Sequence, residues 1–167
     1  YGNADRLNSI KNFSIKKEKT FLIKFGVDTE FWEPNKSSNF YSNYLFSIGQ
    51  DPARDFDTLL KVCTKKKIHI HTSLLDIRND DKFKITTGSY HDRSNSLSDL
   101  QVKKLYQDSF AVIVPLKNVF QPSGYSVTLQ AMACGKPVIL TKTKGLWAPE
   151  IFKNFKNCIL VNPYKVN

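Results

Sequence analysis

Residues 123–140 read SGYSVTLQAMACGKPVIL, and they follow the apolar run FAVIVP at 110–115 across a short loop. Leu129, Met132 and Ala133 recur at helical spacing, which predicts a helix over 124–134. Gly135 stands where a C-terminal cap belongs, and Pro137 forbids continuation of the helix. The run beginning at Pro137 then predicts a second buried strand over 137–141. Strand, helix and strand in this order form a βαβ unit. Its helix N-terminus opens beside a strand's carboxyl end, where parallel sheets bind anions.

The same alternation runs outward in both directions. Strands are expected over 21–25, 44–48, 68–72, 83–87, 110–115, 137–141 and 158–161. Helices are expected over 54–64, 98–107, 124–134 and 147–154. Strand and helix in alternation imply an α/β chain: a doubly wound, mostly parallel Rossmann-like sheet with helices on both faces. Ser98 followed three residues later by Gln101 marks a capping box, and Asp51-Pro52 marks a turn before the helix at Arg54. The polar stretch 35–43 reads as a loop. Residues 1–20 are polar and basic with weak helical pattern, and read as a linker ahead of a domain over 21–167.

At 167 residues one domain with a sizeable core is expected. Twenty-five lysines and arginines against 15 acidic residues give a net charge of +10. That charge suits an anionic ligand or membrane surface, but lysine-rich composition spread over solvated faces accounts for it as well. No stripe of basic residues interleaved with exposed aromatics points to nucleic acid. Cys63, Cys134 and Cys158 are widely spaced in apolar contexts, which predicts buried reduced thiols and a cytoplasmic compartment. His69 and His71 share a strand face, but no third ligand is nearby and no metal is expected. No apolar run is long enough to span a bilayer.

Four segments taken together carry a resemblance. AMACGKPVI (131–139) looks like the donor-domain signature of the retaining glycosyltransferases of family 4, which have the two-domain GT-B fold. FGVDTEFWEP (25–34) is similar to the turn that opens that domain. YLFSIGQDPARDFDTLLKV (44–62) resembles its first strand, phosphate loop and helix, and LSDLQVKKLYQDSFAVIVPL (97–116) the helix and strand ahead of the signature. The resemblance implies one half of a GT-B fold, the half that holds a nucleotide-sugar donor with UDP, GDP or ADP. It implies that an N-terminal domain, absent from this chain, binds a glycan or lipid-linked acceptor, the latter at the inner membrane face, and that this domain alone transfers nothing. No cofactor is implied.

A site for a departing diphosphate needs groups that stabilise growing negative charge. Ser123, Gly124, Tyr125 and Ser126 offer backbone N–H groups at a helix N-terminus, although an ordinary N-cap that binds only water has the same sequence. Gly49, Gln50 and Arg54 form a second loop after a strand. Arg54 can contact phosphate oxygens bidentately, or pair with Asp51, Asp55 or Asp57 at the surface. In the family pattern Gln50 fills a position usually held by arginine, while Pro122 and Gln130 fill two glutamate positions, near the donor sugar and the ribose respectively. Gln130 can still hydrogen-bond a ribose. The expected catalytic contributions are therefore Arg54 and Gln130, with Lys117 as a second cation and Thr87, Gly88 and Ser89 bordering the nucleobase. The competing reading is a non-catalytic nucleotide- or partner-binding module, for which Gln50, Pro122 and Gln130 speak. A flavodoxin-like or response-regulator domain shares the layers, but this chain has no acidic cluster at its first strand and that reading explains none of the four segments.

Overall fold

A computed structural model of the chain describes residues 3–36, 43–88 and 96–166. In chain order the elements are α1 (Asn3–Phe13), a 3₁₀ turn (Lys17–Lys19), β1 (Tyr44–Ile48), α2 (Phe56–Leu59), β2 (Lys67–His71), β3 (Arg78–Asn79) and β4 (Phe83–Thr86). They continue with α3 (Asp99–Asp108), β5 (Ala111–Val114), α4 (Tyr125–Ala133), β6 (Val138–Thr141) and β7 (Ile159–Val161). The described residues build one seven-stranded sheet in the order β3-β4-β2-β1-β5-β6-β7. Every pairing is parallel except that of the edge strand β3 with β4.

Continuous apolar strands bury both faces, as a parallel sheet requires. Alternation of side chains sorts them into two cores. Phe46, Val112, Val114 and Leu140 pack with Tyr106 of α3 and with Val127 and Ala131 of α4. Leu45, Ile68, Ile70 and Ile113 pack with Phe56 and Leu59 of α2 on the opposite face. The doubly wound expectation therefore holds. Because β2 and β4 lie on one side of β1 and β5 on the other, the winding reverses between β1 and β5. Ligands of open α/β sheets bind in the crevice outside the strands' carboxyl ends at such a reversal.

The helix read from residues 123–140 ends as its sequence dictates. Gly135 is left-handed (φ 72°), its N–H bonds Met132 O, and Lys136 N–H bonds Ala131 O, each at 2.9 Å. That pair of bonds is a Schellman cap. The buried face differs from expectation: Val127, Thr128, Ala131 and Cys134 face the sheet, whereas Leu129, Met132 and Ala133 are only partly buried. The capping box at Ser98 and Gln101 forms.

Three expected elements are corrected. No ladder forms over 21–25, where Phe21 and Ile23 are exposed: apolar alternation cannot make a strand without a neighbour to pair with. The helix expected over 54–64 shrinks to Phe56–Leu59. Arg54 bridges to Leu116 in extended conformation, Asp55 becomes the N-cap, and Val62, Cys63 and Thr64 are poor helix formers. No helix persists over 147–154: a single turn closes on Ala148 O through the N–H groups of Ile151 and Phe152, and the Lys153 N–H then turns to Asn157 Oδ1. Strand β3 was not expected: two residues carry no readable period. Cys63 is also a correction, exposed where a buried thiol was expected, while Cys134 and Cys158 are buried. Burial pushes the Cys134 thiol up to about 11.

Candidate functional site

The crevice at the β1/β5 reversal is an open cleft of about 550 Å³. Residues after β1 (Gly49, Gln50, Asp51, Arg54), the start of α4 (Ser123–Val127), and Gln130, His71 and Gly88 line it. Most of the residues singled out in the sequence are thus brought together by the fold.

Two loops build the phosphate end. The loop after β1 is stitched to the segment after β5 by Asp55 N–H to Pro115 O (3.1 Å) and Lys117 N–H to Ala53 O (2.9 Å). This stitching seats Arg54, which is only 6% exposed. Its guanidinium lies between two glycines. A Cβ at Gly49 would stand 2.2 Å from Arg54 Nε, and a Cβ at Gly124 would stand 3.2 Å from Arg54 Nη1. Glycine at position 49 is therefore a steric requirement of the arginine's seat, whereas at 124 an added Cβ would first meet Val114 Cγ1, at 2.5 Å. The surface ion-pair alternative does not describe a buried side chain placed in this way.

Gly124 is the N-cap of α4, left-handed at φ 73°, with no side chain to cap the helix. The first intrahelical bond runs from Thr128 N–H to Gly124 O at 2.9 Å. By helix geometry the N–H groups of Tyr125, Ser126 and Val127 have no carbonyl one turn back. They open onto the cleft beside a guanidinium that stays charged at any working pH. Amide dipoles and a fixed cation converge on one volume, an arrangement suited to an anion with several oxygens.

Other expected residues take different places. The Ser123 hydroxyl donates to Asp51 Oδ2 at 2.6 Å, so it braces one loop against the other. Gln50 Nε2 donates to Gly88 O, and its Oε1 accepts from the backbone and hydroxyl of Ser73. It stitches the ends of β1, β2 and β4 together, which an arginine could not do with its donors alone. Gln130 faces the cleft and accepts from the Tyr106 hydroxyl at 3.3 Å. Lys117 is exposed and outside the cleft lining; its ammonium donates to Pro52 O at 3.0 Å. Of the expected base-side residues, Gly88 lines the cleft, Thr87 is exposed beside it, and Ser89 lies outside the described residues.

Sequence reasoning missed Asp51 and His71. The signal for His71 was its place at the carboxyl end of a parallel strand, where side chains meet ligands. His71 Nδ1 is hydrogen-bonded to Thr86 Oγ1 at 2.9 Å, and His69 Nε2 to the same hydroxyl at 3.2 Å. Burial, then the charge of Lys84 and the neighbouring His71, pushes His69 down to about 4; burial lowers His71 as well. Both rings are therefore neutral at pH 7. Among the described residues no group of three or more His, Cys, Asp or Glu side chains is placed to hold a metal, and no helix is long and apolar enough to cross a membrane.

Residues 61–167 match the sequence profile of the family described as Glycosyl transferases group 1. Solved structures share the fold at low identity. Anabaena HepE in complex with UDP-glucose matches at TM-score 0.69 and 16% identity, over 99% of this chain and 49% of that one. A glycosyltransferase from Rickettsia africae matches at TM-score 0.64 and 15% identity, over 99% and 48%. The C-terminal domain of the group 1 family protein LpcC from Francisella tularensis matches at 0.56 and 18%, over 83% and 80%. The chain thus spans about half the length of the first two. No curated protein matches by sequence.

Proposed function

The chain belongs to the glycosyl transferases group 1 family, and from that premise we propose that it is the donor-binding half of a GT-B enzyme of family 4. In this reading it holds a nucleotide-sugar while a second domain presents a glycan or lipid-linked acceptor, at the inner membrane face where that acceptor is a lipid. The transferred group is a hexosyl unit, and its configuration is retained. The observation that carries the reading is the convergence of the α4 N-terminus and the Arg54 guanidinium at the strand reversal.

A diphosphate seated there has its oxygens on the amides of residues 125–127 and its leaving charge on Arg54. Neutralising that charge lowers the barrier to breaking the bond between sugar and phosphate. Neighbouring parallel strands stand about 4.8 Å apart, so the ends of β5 and β4 are separated by about 14 Å across three spacings. A nucleoside diphosphate can reach across that span. The base then lies towards Gly88 and His71, and Gln130 stands near the ribose. No metal enters this reading: the amides and guanidinium supply the positive field.

Calorimetric titration with UDP, GDP, ADP and their glucose conjugates tests it, with UDP-glucose first because HepE was solved with it. The expected result is binding of at least one nucleotide that weakens tenfold or more in Arg54→Ala. Failure to bind any of them would refute the proposal. Gln50, engaged in stitching loops, and Pro122, without a polar side chain, favour a second reading as a binding module without turnover. Hydrolysis or transfer by the two-domain protein separates the two.

A further inference from the structure

We propose that Asp51 is the acceptor for the hydroxyl groups of the donor's sugar, and that this carboxylate makes the cleft prefer a nucleotide-sugar over the free nucleoside diphosphate. The inference rests on the nucleotide-sugar reading and names the group that recognises the sugar.

Asp51 lines the cleft beside the start of α4, at the phosphate end. Two of its lone-pair sites are used: Oδ1 accepts from Ala53 N–H at 2.8 Å and Oδ2 from the Ser123 hydroxyl at 2.6 Å. A carboxylate has about four such sites, so two remain on a half-buried group that borders open volume. Its position is fixed from both sides, by its own turn and by the loop that begins α4.

The surrounding chemistry shows what those sites can take. The N–H groups of α4 and the guanidinium of Arg54 are donors, matched to phosphate oxygens. A carboxylate among them repels phosphate, so it does not belong to the diphosphate cradle. Sugar hydroxyls need acceptors: Gln50 Oε1 already accepts twice from Ser73, and Gln130 Oε1, which accepts once from Tyr106, is assigned to the ribose. Pro122, the residue before Ser123, contributes none. Asp51 is thus the charged acceptor at this end, and a hydroxyl donating to a carboxylate forms a stronger bond than a neutral pair. Asp51 is hydrogen-bonded to Ser123 next to the first amides of α4, so a sugar carried on a diphosphate seated there is within its reach.

The test is calorimetric titration of wild type and Asp51→Asn with UDP-glucose and with UDP, or with the GDP or ADP pair if that is the one wild type binds. The two ligands should respond with opposite signs. Loss of the charged acceptor weakens the nucleotide-sugar about tenfold. Removal of a like charge near the diphosphate tightens the free nucleotide about two- to fivefold. A damaged fold would weaken both, and so would a carboxylate that binds the ribose; either result overturns the assignment, as does an unchanged preference. Should Asp51→Asn fail to fold, Ser123→Ala keeps the carboxylate but releases its brace, and the preference for UDP-glucose over UDP should fall threefold or more. An unchanged preference there overturns the assignment too. Wild type that binds no nucleotide at all removes the underlying reading; wild type that binds both ligands with a preference untouched by Asp51→Asn removes this inference alone.

Discussion

Gly49→Ala tests the arginine's seat without touching its charge. The added methyl would stand 2.2 Å from Arg54 Nε, 2.6 Å from Cζ and 2.7 Å from Nη2. Non-bonded carbon and nitrogen need more than 3 Å, so the guanidinium must retreat by about 1 Å or the loop must open. The side chain is 6% exposed and borders the cleft, so the open direction for its guanidinium is into the volume a phosphate would fill. Overpacking of this kind costs about 1–3 kcal/mol of stability. A cation displaced by about 1 Å from phosphate also loses much of a charge-assisted contact, about 1.5–3 kcal/mol or 10- to 100-fold in nucleotide affinity.

The assay is a double-mutant cycle. Urea denaturation and calorimetric titration with a nucleoside diphosphate are run on wild type, Gly49→Ala, Arg54→Ala and the double variant. In the Arg54→Ala background the methyl meets no guanidinium, so Gly49→Ala should then cost little in either measurement. The coupling energy should match the cost of Gly49→Ala alone. If Gly49→Ala is equally damaging with and without Arg54, the collision is elsewhere and the proposed seat is wrong.

Three further outcomes follow from the same structure. His69 has a folded pKa of about 4, below its usual 6.5, so folding favours the neutral ring. Above pH 6.5 it contributes nothing; between 6.5 and 4 the unfolded chain takes up a proton that the folded chain refuses. Stability should therefore fall on acidification across that window, by about 2 kcal/mol from this ring, and His69→Gln should flatten the slope of urea midpoint against pH. Ser47 is fully buried in β1 and its hydroxyl has no hydrogen-bond partner among the described residues, so Ser47→Ala should be neutral or stabilise by about 1 kcal/mol in urea denaturation. Gly145→Ala would put a Cβ 2.2 Å from the carbonyl oxygen of Phe120, which is backbone and cannot rotate away. A loss of about 3 kcal/mol, or roughly 6–12 °C in Tm by calorimetry, is expected.

What was legible in the sequence had a local cause. The helix over 124–134 is bounded by two glycines that adopt left-handed backbone, and the helix after Ser98 by a reciprocal cap. The strands at 44–48 and 110–115 are apolar enough to be buried on both faces. What was not legible had a tertiary cause. Arg54 and Gly49 were both singled out, but their sequence says nothing of a guanidinium packed against Gly49 and Gly124, because that contact exists only once β1 and β5 are neighbours. Ser123 was read as a ligand group and became a brace, because its partner Asp51 lies 72 positions away. Gln50 stood out in sequence for the cation it lacks. In the fold it holds three strand ends together, and its amide supplies an acceptor that arginine does not have.

The chain carries a net +10, but among the described residues that line the cleft the charged side chains are one arginine and two carboxylates, Asp51 and Asp99. The lysines that dominate the composition are elsewhere; Lys117, the nearest one expected to help, turns to Pro52 O. Anion affinity here must come from amides and a guanidinium oriented by folding, not from accumulated surface charge. Exposed charges are screened beyond about 10 Å at 0.1 M salt, whereas buried and directly contacting donors are screened much less. The site therefore depends on the integrity of two loops and two glycines. A methyl group at position 49 should damage it more than neutralising any one exposed lysine.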